Sequence, residues 1–196
     1  MLSKAEKIAR ANFLQRKMTR YFVVLDVDRD GHIEAEDFDK VAQRLAGVRG
    51  LSLHSPQYNA LYDQVMFEWQ TLSGYCDDDT DQEISLDEWF AHREDIMNGV
   101  ADETGIVLDE NRLKAERGQR LMALMDNDGD GVISEADFIG YFSGFHLPED
   151  LARRTFQRID TDQQGQLDLN TVSDLYHQFI HSITPEEPGN WLFGPF

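Results

Sequence analysis

The sequence predicts an all-α protein in which four helix–loop–helix units form two pairs inside one compact globule, with short β ladders joining the paired loops. Three observations predict this. An acidic twelve-residue segment recurs four times along the chain. Each copy is flanked by apolar residues at helical spacing. Of 196 residues, 41% are hydrophobic and 11% aromatic, which is enough to build a real core.

Taken in order, the copies read DVDRDGHIEAED from Asp26, DDDTDQEISLDE from Asp77, DNDGDGVISEAD from Asp126 and DTDQQGQLDLNT from Asp160. The residue before each loop is apolar or a thiol (Leu25, Cys76, Met125, Ile159), and the residue after is apolar (Phe38, Trp89, Phe138, Val172). Ile8, Leu14, Met18, Phe22 and Leu25 mark a helix entering the first loop. Tyr58, Leu61, Val65, Trp69 and Leu72 mark one entering the second, with Ser55 as N-cap and Pro56 as first helical residue. Val172, Leu175 and Phe179 mark a helix leaving the fourth, and Leu147-Pro148 precedes the helix that enters it. An aliphatic residue at loop position 8 (Ile33, Ile84, Ile133, Leu167) predicts antiparallel pairing of Ile33 with Ile84 and of Ile133 with Leu167. The expected organisation is a first pair of units over residues 1–100 and a second over 101–181. An aromatic tail over 182–196 docks on the body, and ADETGIVLDE from Ala101 links the halves.

Crowding like charges into a short loop costs energy unless a cation sits among them. Acids at positions 1, 3 and 5, a glycine where the chain turns sharply at position 6, a carbonyl at position 7 and a carboxylate at position 12 together make an oxygen cage for a hard cation such as Ca²⁺. The repeated unit is identified as an EF-hand. Its pattern assigns Asp26, Asp28, Asp30, the His32 carbonyl and Asp37 to the first site, with Glu34 at position 9. The second takes Asp77, Asp79, Asp81, the Glu83 carbonyl and Glu88, and the third Asp126, Asp128, Asp130, the Val132 carbonyl and Asp137. Asp37 and Asp137 are one methylene shorter than the usual twelfth residue, which favours Mg²⁺ as an alternative occupant of the first and third sites. Gln82 stands where glycine is usual, at a cost that coordination offsets. The fourth loop has a neutral Gln164 and a twelfth residue, Thr171, with no carboxylate, and is expected to persist as a packing partner without metal. The expected complement is three Ca²⁺ ions.

A formal charge of −19 is the wrong sign for a nucleic-acid binder. Cys76 is the only cysteine, so no internal disulfide framework exists, and a cytoplasmic location is expected. No stretch has the apolar length of a transmembrane segment, and charges interrupt the N-terminal apolar runs as they would not in a secretory signal. No HExxH, GxSxG, GxGxxG or phosphate-loop motif is present, and a non-enzymatic role is expected. Cys76 occupies a position that is apolar in the other three units and reads as a packing residue.

The long interval between the first two loops, the uneven loop quality and the aromatic tail SITPEEPGNWLFGPF resemble the sarcoplasmic calcium-binding proteins and their relative calexcitin. That resemblance implies a monomeric globule with both halves packed together, acting as an intracellular Ca²⁺ buffer or a compact Ca²⁺-responsive signalling protein, with a protein target left open. Two alternatives stand beside it. One is a calmodulin-like sensor that opens a Met-rich groove, for which six methionines are an ordinary complement. The other is a coelenterazine-binding or photoprotein-like molecule, suggested by His92 near Trp89 and His177 next to Tyr176.

Overall fold

The structure is a computed structural model that describes residues 4–92 and 110–196, with the side chains of 4–7 and 110 excepted. The expected link over 101–110 and the boundary at 100 fall outside the described side chains. Among the described residues the order is α1 (Lys4–Leu25), β1 (His32–Glu34), α2 (Ala35–Val48), α3 (Pro56–Cys76), β2 (Glu83–Ser85), α4 (Leu86–Ala91), α5 (Glu110–Met125), β3 (Ile133–Ser134), α6 (Glu135–Gly144), α7 (Glu149–Ile159), β4 (Gln166–Leu167) and α8 (Leu169–His181). A 3₁₀ turn (Pro188–Trp191) follows. The protein is all-α apart from two antiparallel ladders, β1 with β2 and β3 with β4. Their registers place Ile33 opposite Ile84 and Ile133 opposite Leu167, as the position-8 pattern predicts. All four of these residues are buried, so each ladder is pinned by a pair of side chains that leave water together.

Helix starts follow from local chemistry. Ser55 accepts from the Tyr58 amide at 3.1 Å, and Pro56 takes the first helical position, where its missing N–H is no loss. At α2, α4 and α6 the N-cap is loop position 9 and the third helical residue is loop position 12. The same pair therefore makes a capping box, in which the position-12 carboxylate accepts from the N-cap backbone.

The halves meet along α2 and α6 and along α3 and α5. A Cβ on Gly144 would lie 2.9 Å from Leu45 Cδ2, so glycine here lets α6 approach α2 without displacing the Leu45 side chain. Arg49, just beyond α2, reaches across and caps the end of α5. Its Nη2 donates to the carbonyls of Ala123 and Leu124 at 3.0 and 2.8 Å, and its Nε donates to Asn127 Oδ1 at 3.2 Å. Orphan carbonyls at a helix C-terminus are thus satisfied by a cation from the other half.

The segment after α8 lies against both halves. Leu192 and Phe193 are buried, while Trp191 and Phe196 are half-buried. The Phe193 ring stacks on Tyr21 of α1 and meets Phe179 of α8 edge-on, each at 4.7 Å between centroids. Lys17 Nζ is buried and donates to the Ser182 carbonyl at 2.7 Å and to Asn190 Oδ1 at 3.0 Å. Arg20 Nε donates to the Phe193 carbonyl at 2.9 Å, and the Arg158 guanidinium lies 3.8 Å from the Trp191 ring centre.

Candidate metal centres

Each loop is shaped first by its own acids. The position-1 carboxylate accepts from the position-6 amide in all four: Asp26 from Gly31 at 3.1 Å, Asp77 from Gln82 at 3.1 Å, Asp126 from Gly131 at 3.1 Å and Asp160 from Gly165 at 2.9 Å. The position-3 carboxylate accepts from the position-5 amide in all four. This tight turn forces position 6 into left-handed backbone, with φ of 99° at Gly31, 72° at Gln82, 88° at Gly131 and 75° at Gly165. Glycine takes that conformation freely, whereas Gln82 holds it at a local cost.

The position-12 carboxylate closes three of the loops. Asp37 accepts from Val27 at 2.8 Å and from Glu34 at 3.0 Å. Glu88 accepts from Asp78 at 3.1 Å and from Ser85 at 2.9 Å, and Asp137 accepts from Asn127 and from Ser134, both at 3.0 Å. In each case one carboxylate bridges the amides of positions 2 and 9, drawing the start of the loop onto the start of its exit helix. Burial raises the Asp37 carboxyl above its usual range, against the amides that favour its anion. The hydroxyl and amide of Ser85 hold Glu88 low. Thr171 offers no such bridge, and in the fourth loop Asp168 caps the Thr171 amide without a return bond.

Three clusters follow in which one carboxylate oxygen from each member lies within 4.8 Å of the others: Asp26, Asp28 and Asp37; Asp77, Asp79 and Asp81; and Asp126, Asp128 and Asp137. A fourth, Asp28 with Asp30 and Glu34, extends the first loop's set to position 9. Oxygens so spaced fit around one Ca²⁺, whose ligands sit roughly 2.3–2.6 Å away on all sides. Asp77 Oδ1 is buried and accepts no hydrogen bond, a desolvated lone pair of the kind a cation satisfies. Glu88 and Asp130 stand outside these clusters. Asp130 instead accepts from the Val132 amide at 2.9 Å. His32 and Glu83, expected to ligate through their carbonyls, begin β1 and β2, and Val132 directly precedes β3. The fourth loop contributes no cluster among the described residues.

Lys40 adds something the loop pattern does not carry. Its ammonium lies 2.6 Å from Asp28 and 2.9 Å from Glu36, and it lowers the Asp28 carboxyl. A lysine one turn into α2 therefore already meets one acid of the first loop. Across the ladder, His32 Nδ1 lies 3.2 Å from Glu83. Among the described residues, no helix is long and apolar enough to cross a membrane.

Four loops of this geometry, paired through β ladders and flanked by helices, define an EF-hand protein, and the EF hand family matches residues 19–42. The first hand matches that family, and the other three units repeat its pattern. The chain resembles the sarcoplasmic calcium-binding proteins and calexcitin. It is 28% identical to sarcoplasmic calcium-binding proteins I, III and IV of Branchiostoma lanceolatum, over 87% of this chain and 89% of that protein. It is 25% identical to Calexcitin-1 of Caenorhabditis elegans, over 93% of this chain and 86% of that protein. The crystal structure of the coelenterazine-binding protein of Renilla muelleri shares the fold with a TM-score of 0.74 over the whole of both chains, at 21% identity.

Proposed function

We propose that this protein binds Ca²⁺ through its first three hands and holds three ions, while the fourth hand serves as a packing partner for the third. The carrying observation is the cluster of three carboxylates in each of those hands, together with its absence among the described residues of the fourth. The ligands are those of the loop pattern: Asp26, Asp28, Asp30, the His32 carbonyl and Asp37; Asp77, Asp79, Asp81, the Glu83 carbonyl and Glu88; Asp126, Asp128, Asp130, the Val132 carbonyl and Asp137. Mg²⁺ competes best in the first and third hands, where an aspartate at position 12 favours six ligands over seven. Filling a cage that repels itself stabilises the fold, because the unfolded chain has no such cage.

The role is that of a compact Ca²⁺ buffer or signalling protein, monomeric and cytoplasmic, built from an N-terminal pair over 1–100, a C-terminal pair over 101–181 and a docked tail. It is not that of a sensor that opens a groove. Burial of Phe193 between Tyr21 and Phe179 supports this, since the chain's own tail fills the ground between the halves.

Calorimetric titration of the metal-stripped full chain with Ca²⁺ in millimolar Mg²⁺, alongside a hydrophobic dye, tests both parts. Three equivalents with flat dye fluorescence is the expected result. Fewer than three equivalents overturns the site assignment, and rising fluorescence overturns the compact role. Removing residues 191–196 is expected to raise dye binding at every Ca²⁺ level.

A further inference from the structure

The centre of the molecule contains a cavity of about 130 Å³ where α1, α2, α3, α5, α6, α8 and the tail converge. Its floor is aliphatic and aromatic, including Leu45, Val65, Leu121 and Phe193. Three phenols line it, with Tyr141 buried and Tyr21 and Tyr176 half-buried. Well-packed interiors hold few voids above the size of a water molecule, and an apolar void near this volume accommodates a single benzene ring.

The mouth is charged. Glu68 of α3 and Arg120 of α5 pair at 2.9 Å, and both also line a shallower outer groove between those helices. Burial raises the Glu68 carboxyl while the two neighbouring guanidiniums oppose it. The Arg120 guanidinium also lies over the half-exposed Phe67 ring, 5.4 Å from its centre. Arg117, half-buried and lining the same cavity, makes no hydrogen bond or ion pair with the described residues. Glu68 is already engaged by Arg120, so the cavity lining carries one guanidinium beyond the charge that Glu68 balances. A half-buried cation beside apolar walls gains from an anion that brings its own apolar body.

We propose that this central cavity is a binding site for a small apolar molecule bearing one anionic group, its ring or short chain among the helices and its acid on Arg117. Entry is through the Glu68–Arg120 pair, which separates the cavity from the outer groove. The overall charge of −19 works against anions everywhere else, so anion preference at this site is local to Arg117. The cavity has the dimensions of a one-ring ligand, and a multi-ring chromophore would require the halves to separate. This reading stands apart from the metal sites, since none of the proposed ligand residues lines the cavity.

The test uses the Ca²⁺-saturated full chain and two probes, 3-phenylpropionate and its neutral amide, read by calorimetry and ligand-observed NMR. The acid is expected to bind one per chain and about tenfold more tightly than the amide, the scale of one charge-assisted hydrogen bond. Arg117→Gln should bring the acid down to the amide's affinity and leave the amide and the Ca²⁺ titration unchanged. Leu121→Trp, which fills the cavity, should remove both. Equal affinity for the two probes, an acid preference that survives Arg117→Gln, or binding that survives in folded Leu121→Trp overturns the proposal, as does failure of either probe to bind. If Leu121→Trp does not fold, the half-exposed Arg117→Gln still decides.

Discussion

The third and fourth hands share a backbone and diverge in chemistry. In both, the first aspartate accepts from the position-6 amide, the third-position aspartate accepts from the position-5 amide, and the eighth residue pairs across the ladder. They part at position 12. Asp137 bridges Asn127 and Ser134 and joins Asp126 and Asp128 in a cluster, while Thr171 bridges nothing. The turn therefore comes from positions 1, 3 and 6 and survives without a cage. In the first and third hands position 12 completes the cluster and draws the loop onto its exit helix, whereas in the second hand the cluster forms from positions 1, 3 and 5.

What holds the fourth hand is packing. Gly118 of α5 lies so close to Ser173 of α8 that a Cβ would sit 1.9 Å from the serine Oγ. The tail adds to this hold, with the Gly189 amide donating to Gln178 of α8 at 2.9 Å.

The largest way to break the comparison is Asp137→Ala. It removes a proposed ligand and strands the amides of Asn127 and Ser134, and it is expected to lower Ca²⁺ affinity at the third hand by about 100-fold, at roughly 1–3 kcal/mol per stranded group. Titration should then count one equivalent fewer. The converse is Thr171→Glu, which supplies a capping-box acid and a carboxylate at position 12 and is expected to add one equivalent; an unchanged count would mean that Gln164 also forbids the site. Gly118→Ala should leave metal stoichiometry alone and lower stability by about 1–3 kcal/mol in urea unfolding, the usual cost of overpacking.

Lys17 tests the tail's hold by pH. Burial lowers its pKa to about 8, with Glu187 opposing the shift. Between about 8 and the ordinary lysine value the unfolded state binds more protons, so the contribution of Lys17 to stability rises with pH across that window. The stability of the natural chain relative to Lys17→Met should increase by about 1–2 kcal/mol from pH 7 to pH 9.5. The smallest effect is Gln82→Gly in the second hand. It relieves a left-handed backbone cost of about 1 kcal/mol, partly offset by the freer unfolded chain, and should tighten that hand about twofold in a Ca²⁺ titration.

Much of this was legible in the sequence. The four loops, their flanking helices, the paired residues at position 8 and the cap at Ser55 each rest on a local pattern, so spacing alone reveals them. The dual service of position 12 as capping-box residue and cage acid was legible in principle from its place three residues after the N-cap. Lys40 beside Asp28 was harder to see, because a lysine on a helix surface carries no mark of its partner.

The sequence by itself determined the number of loops, their turns and the order in which their acids approach a common centre, because those are consequences of spacing within twelve residues. Only the tertiary structure decided how the halves join: Arg49 capping α5, Gly144 admitting Leu45, Phe193 seated between Tyr21 and Phe179, and the cavity they leave with Arg117 in its lining. These contacts link residues tens of positions apart or more. They are fixed by how whole helices pack and by which polar groups burial forces to find partners.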